Sequence, residues 1–347
     1  MSKFYHRKDL PEVGLTFDDV LIVPNKSTMK SRRDPDLTSK ITKNITCPTP
    51  VISANMDTVT EMAMVKAMND IGAFAILHRF ISIEDQVAQA KELIGHGITK
   101  FSASVGVQTS ELERAEKLID AGVPVITIDI AHGHSVAMIE MLEEIKRRWS
   151  HVEVIAGNVA TPQGTLDLIN AGADAIKVGI GPGSMCTTRI ITGCGMPQLT
   201  AIALCSLEAD KYDVPVIADG GIKTSGDIVK AFAAGASSVM LGSLLAGTLE
   251  TPGDIKQGKK LYRGMASKSA QASWRGGVPK GMAAEGESHQ ISVKGPAATV
   301  VEELMGGLRS GMTYVNASQI SEIRENSHFM RMTPSGLYES RAHGLNM

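Results

Sequence analysis

The chain has 347 residues, 35 Lys and Arg against 37 Asp and Glu, and a formal charge of −2 at pH 7. This balance argues against a basic nucleic-acid surface, and no acidic or basic tail interrupts it. The length admits one large α/β barrel or two smaller domains without choosing between them.

The four cysteines, Cys47, Cys186, Cys194 and Cys205, have no CxxC spacing and no nearby zinc-type histidines. In a chain of this length they fit a reduced enzyme better than a disulfide framework. Residues 1–9 carry no apolar signal core, and no apolar stretch approaches the roughly 20 residues that span a bilayer. A soluble, cytoplasmic protein is expected.

Eight apolar, β-branched runs follow in order: 51–54, 73–78, 101–105, 125–130, 152–156, 175–178, 214–218 and 238–241. Their starts lie about 20 to 30 residues apart, one strand-loop-helix-loop unit, except the longer step from the sixth to the seventh. The runs are nearly continuous rather than alternating, as strands covered on both faces should be. Helix ends are marked by Ala121-Gly122, Ala171-Gly172 and Ala234-Gly235, and helix starts by Ser82 and by Thr161-Pro162. Eight units predict a single (β/α)₈ TIM barrel over residues 1–347; an open doubly wound sheet is the alternative. Residues 251–295, rich in Gly, Ser and Lys with weak periodicity, are expected to be an irregular, mobile lid inserted after the eighth strand.

The barrel reading puts chemistry on the loops that follow the strands. After the sixth run comes Gly179-Ile180-Gly181-Pro182-Gly183-Ser184-Met185-Cys186-Thr187-Thr188-Arg189. Its glycines expose backbone amides to an anion, and a soft nucleophile stands two residues after a serine. The pattern suggests covalent chemistry on a phosphorylated substrate. Asp219-Gly220-Gly221 and Gly242-Ser243 end the seventh and eighth runs, the usual barrel phosphate corner. Asp219 stands one step away, where a carboxylate can accept from ribose hydroxyls. Thr188 can share a pocket with Cys186, and Glu285 is the candidate carboxylate behind that hydroxyl. His132 and His134 lack a third ligand at telling spacing, and no GxGxxG follows the first run, so a Rossmann site is absent.

These residues resemble the IMP dehydrogenase / GMP reductase family over essentially the whole chain. Beyond the cysteine loop, the resemblance rests on Leu15-Thr16-Phe17-Asp18-Asp19-Val20-Leu21, Ala54-Asn55-Met56-Asp57, Ala156-Gly157-Asn158-Val159, Asp219-Gly220-Gly221 and Tyr262-Arg263-Gly264-Met265. It implies a barrel, usually tetrameric, that forms a thioimidate between Cys186 and purine carbon 2, with Thr188 and Glu285 moving protons. It also implies that Ser184, Gly220, Gly221, Gly242, Ser243, Tyr262, Gly264, Met265 and Gly286 surround the nucleotide, with Asp219 on its ribose. The carbonyls of Gly181, Gly183 and Cys186 would line a potassium site. Asp129, Ile130, Ala131, Ser310, Gly311, Met312 and Thr313 are expected beside the cofactor, with Ser31, Arg32 and Arg79 near its adenosine phosphates.

Two departures from the dehydrogenase pattern bear on direction. His78-Arg79-Phe80 runs straight toward the helix start at Ser82, leaving no room for an inserted pair of regulatory domains. The lid has no adjacent Arg-Tyr pair to activate water; Trp274-Arg275 is the nearest approach. The expectation is therefore the family's reductive activity, GMP to IMP and ammonia with NADPH. A domain-deleted dehydrogenase, a barrel without turnover and a flavin barrel are the alternatives.

Overall fold

The computed structural model describes residues 13–340, so the stretch 1–9 lies outside it. Three short strands come first: β1 (Val20–Ile22), β2 (Ser39–Lys40) and β3 (Thr46–Cys47). Eight parallel strands then close a barrel: β4 (Val51–Ser53), β5 (Phe74–Leu77), β6 (Ser102–Val105), β7 (Val125–Asp129), β8 (Glu153–Val159), β9 (Ala175–Val178), β10 (Val216–Asp219) and β11 (Ser238–Leu241), which pairs back onto β4. All eight predicted runs are strands, and the fold is a (β/α)₈ barrel.

The connecting helices are α1 (Met62–Asp70), α2 (Ile83–Gly95), α3 (Thr109–Asp120), α4 (Val136–Arg148), α5 (Pro162–Asn170), α6 (Thr188–Thr192), α7 (Gln198–Ala209) and α8 (Ser225–Ala233). Their ends follow local chemistry. The Ser82 hydroxyl accepts the Asp85 amide at 3.0 Å, and Thr161 accepts the Gly164 amide at 3.2 Å with Pro162 in the first turn. Gly122, Gly172 and Gly235 sit at φ of 92°, 106° and 106°, which a Cβ would oppose. α4 shows the packing logic: Met138, Met141, Leu142 and Ile145 form one buried stripe against the barrel. Burying each such side chain contributes roughly 1.5–3 kcal/mol.

The two ends of the barrel differ. β2 and β3 form a small antiparallel pair whose surroundings bond the N-terminal strand ends. The Ser39 hydroxyl donates to the Ser237 carbonyl at 2.6 Å, and the Thr42 hydroxyl to Glu153 at 2.6 Å. That end is closed, and the opposite mouth is left for ligands.

Residues 251–295 are more ordered than their weak periodicity suggests. β12 (Lys259–Arg263) pairs antiparallel with β13 (Ser288–Ser292), and α9 (Lys268–Arg275) lies between them. Polar strand residues, exposed along most of β13, hide the period-2 signal from the sequence. α10 (Ala297–Tyr314) then packs against α8 and α1, completing the helical ring after this excursion. α11 (Ile320–Asn326), β14 (Phe329–Arg331), which pairs with β1, and α12 (Pro334–Glu339) finish the described chain. Among the described residues, no helix is long and apolar enough to cross a membrane.

Candidate active site

Strand ends and the β12–β13 excursion enclose a cavity of about 570 Å³ at the barrel mouth. On its wall three predicted groups stand in series. The Cys186 thiol donates to the Thr188 hydroxyl at 3.1 Å, and that hydroxyl donates to a Glu285 carboxylate oxygen at 2.8 Å. Glu285 comes from far along the chain but is held by backbone bonds. The Thr187 amide donates to the Glu285 carbonyl at 3.1 Å, and the Glu287 amide to the Met185 carbonyl at 2.9 Å. A proton can therefore pass between sulfur and carboxylate through one hydroxyl.

The other cysteines lack this setting. Burial pushes the Cys47 and Cys205 thiols up to about 11, so both are inert core side chains, while Cys194 is exposed.

Gly220, Gly221, Gly242 and Ser243 line the cavity beside Ser184 and Tyr262, whose hydroxyls lie 3.2 Å apart. Burial raises the Tyr262 phenol, only partly offset by Ser184, so it stays a protonated donor. Asp219 lines the same corner and accepts from the Asn158 amide at 2.9 Å and from the Lys177 ammonium at 2.8 Å. Gly264 and Met265 reach the cavity; Gly286 does not line it but backs Met185 and Gly264.

Arg79, Asp129, Ile130 and Ala131 also line the cavity. There Arg79 lies 4.9 Å from the Phe80 ring, Phe80 meets Trp274 edge-on at 5.3 Å, and Arg275 lies 4.8 Å from the Trp274 ring. This aromatic and cationic wall suits a flat, anionic group. Ser31, Arg32, Ser310, Gly311, Met312 and Thr313 are not brought to this cavity. Ser31 and Arg32 sit in an exposed turn, and Met312 is wholly buried in α10, facing the core. The segment before β2 instead runs beside the end of α10: the Asn25 amide donates to the Tyr314 carbonyl at 2.8 Å.

The carbonyls of Gly181, Gly183 and Cys186 are oxygen donors of the right kind for a hard cation. Gly183 already accepts the Cys186 amide at 3.1 Å. Three carbonyls would supply half of a shell of about six oxygens. His134 pairs with Asp167 at 2.7 Å, and the described residues contain no cluster of three His, Cys, Asp or Glu arranged for a metal ion.

Two features escaped the sequence reading. Lys177 sits wholly buried in β9 with carboxylates on both sides, its only sequence signal being one charge inside an apolar run. The Arg263 guanidinium grips Asp57, with Nε 3.1 Å from one carboxylate oxygen, and donates to the Ser269 carbonyl at 2.9 Å. That ion pair rivets β12 to the loop after β4.

Comparison with known proteins places the chain in a family. The family model for the IMP dehydrogenase / GMP reductase domain matches residues 14–343. An inosine-5'-monophosphate dehydrogenase of Cryptosporidium parvum is 41% identical over 387 positions, covering 96% of both chains. One from Nitrosopumilus maritimus is 35% identical, covering 95% of this chain and 98% of its own. That alignment spans 466 positions against a chain of 347, so this relative carries over a hundred residues absent here. Among solved structures, a cysteine-to-alanine variant of GMP reductase from Trypanosoma brucei, in complex with guanosine 5'-monophosphate, is 32% identical with a TM-score of 0.91. The match covers 97% of this chain and 99% of that one. The chain belongs to the IMP dehydrogenase / GMP reductase family of nicotinamide-dependent oxidoreductases.

Proposed function

We propose that this protein is a GMP reductase, converting GMP and NADPH to IMP, ammonia and NADP⁺ in purine nucleotide salvage. The observation that carries this is the Cys186–Thr188–Glu285 relay, whose carboxylate comes from a lid segment that contains no water-activating Arg-Tyr pair; residues 264–285 include no tyrosine at all.

The relay accounts for the protons. Cys186 gives its proton through Thr188 to Glu285, and the thiolate adds to purine carbon 2. Glu285 returns that proton through Thr188 to the 2-amino group, whose bond to carbon 2 breaks as ammonia leaves. NADPH delivers hydride to carbon 2 of the resulting thioimidate, and the sulfur departs with its bonding pair. IMP is released, and one proton from solvent restores the thiol. General acid-base assistance of this kind contributes typically about 10²–10⁴-fold.

Ser184, Gly220, Gly221, Gly242, Ser243 and Tyr262 would hold the phosphate and Asp219 the ribose. Arg79, Asp129, Ile130 and Ala131 would face the cofactor, and residues 251–295 would act as a mobile lid. Ser31, Arg32, Ser310, Gly311 and Thr313 would serve the cofactor from a second copy, in keeping with a homotetramer, whereas Met312, wholly buried in α10, would not. Potassium would support the cysteine loop through the Gly181, Gly183 and Cys186 carbonyls.

The competing reading is a short IMP dehydrogenase, favoured by the names of the Cryptosporidium and Nitrosopumilus relatives. Following absorbance at 340 nm decides between them. A fall with GMP and NADPH, and no sustained rise with IMP and NAD⁺, is the result expected. The reverse pattern would make the protein a dehydrogenase.

A further inference from the structure

Lys177 is the one wholly buried lysine in the barrel wall, and its surroundings are specific. Along the register, Asp129 of β7 pairs with Gly157 of β8, and Gly157 pairs with Lys177 of β9. Because Gly157 has no side chain, the lysine stem can pass over β8. A Cβ there would stand 2.6 Å from the Cβ of Lys177. The ammonium thereby reaches Asp129 at 2.7 Å on one side and Asp219 at 2.8 Å on the other, and also bonds the Asn158 side-chain oxygen. Asn158 closes the circuit, donating to Asp219 at 2.9 Å and to the Gly179 carbonyl at 2.7 Å. Four strands, β7 to β10, thus meet at one cation.

The two carboxylates line the same cavity but come from β7 and β10, on either side of β8 and β9. Asp219 ends β10 beside the cysteine loop, whereas Asp129 ends β7 next to Ile130 and within electrostatic reach of Arg79. We propose that Lys177 is a positioning residue that ties the nucleotide-side carboxylate to the cofactor-side carboxylate, so that occupancy by one ligand changes affinity for the other. This rests on reading the cavity as a purine nucleotide and nicotinamide site.

The physical case is the sharing of one charge. Burial alone would lower the Lys177 ammonium, yet Asp129 and Asp219 together outweigh burial and hold it charged. Burial alone would likewise raise Asp129, and Lys177, helped by Arg79 and Asn55, reverses that. When sugar hydroxyls donate to Asp219, they take up part of its demand for the ammonium. Lys177 then shifts its interaction toward Asp129, and the geometry presented to the cofactor changes with it.

The test uses IMP and NADPH, a pair that cannot exchange hydride under either reading of the reaction. Titration calorimetry gives the IMP Kd with and without saturating NADPH. In the parent the two Kd values should differ by about fivefold or more, within the range of coupling between sites. Lys177→Met should bring the ratio to within twofold of one, and Lys177→Arg should keep it. A merely structural lysine would weaken both ligands and leave the ratio unchanged, which would overturn the proposal. So would a parent ratio of one. If Lys177→Met fails to fold, the double variant Lys177→Met/Asp129→Asn, which removes one of the two uncompensated charges, carries the same expectation. A folded parent that binds no IMP would overturn the nucleotide reading itself and this proposal with it.

Discussion

A thiol, a hydroxyl and a carboxylate in series divide one proton's path into two short steps of 3.1 and 2.8 Å. Cys186→Ser should keep GMP binding, because the groups proposed to hold its phosphate are untouched, and lose at least about a thousandfold in turnover. Calorimetry and NADPH oxidation check the two halves of that statement. Glu285→Gln should slow GMP reduction more than thioimidate formation from IMP and NADP⁺, since both need the thiol proton removed but only the first also delivers a proton to nitrogen. Supplying IMP and NADP⁺ approaches the thioimidate from the other side; an equal fall in both directions would make Glu285 positional. The cysteines also differ in reach. Iodoacetamide at pH 8 should label Cys186 and Cys194 and spare Cys47 and Cys205, whose thiols burial pushes up to about 11. GMP should protect Cys186 alone, as peptide mapping would show.

The β12–β13 hairpin is fixed at its base and opens toward the cavity along residues 264–287. Its rivet is the Asp57–Arg263 pair, both side chains about nine-tenths buried. Removing one partner of a buried pair leaves an uncompensated charge, at a cost of roughly 3–5 kcal/mol. Arg263→Met should therefore lower stability to urea by that order and loosen the hairpin. Limited proteolysis near residues 276–281, where Gly276, Gly277 and Gly281 stand at positive φ with open space around them, should accelerate in parallel.

Across the molecule, charge on the cavity floor links the site to stability. Asp129 is held below the ordinary carboxylate range because Lys177 outweighs its burial. A depressed carboxylate stabilises the fold fully above its unfolded value, about 3.9, and that contribution is lost as pH falls through the folded value. Asp129→Asn should thus flatten the acid limb of a Tm-against-pH curve below about pH 4, measured by scanning fluorimetry. Assembly is tested separately. If Ser31, Arg32, Ser310, Gly311 and Thr313 serve a neighbour's cofactor, mixing a Cys186→Ser chain with an Arg32→Ala chain should recover activity that neither has alone.

Local patterns in the chain sufficed for the eight strands, because each run is apolar enough to be buried on both faces wherever it sits. Helix starts at Ser82 and Thr161 and ends at Gly122, Gly172 and Gly235 were equally legible, since caps act within one turn. Cys186, Thr188, Asp219 and the glycines after β10 and β11 could be placed at the cavity because barrel topology carries every post-strand loop to one mouth. The hairpin within 251–295 was not legible, its exposed strands lacking the alternation that burial of one face imposes. Nor was Lys177, whose meaning depends on Asp129 and Asp219 arriving from strands on either side of it. The grip of Arg263 on Asp57 and the meeting of Thr188 with Glu285 are likewise tertiary decisions, for they join residues 206 and 97 positions apart. Sequence periodicity reports what a segment must bury, whereas the pairing of charges across the barrel is set only when the closed sheet brings them within reach.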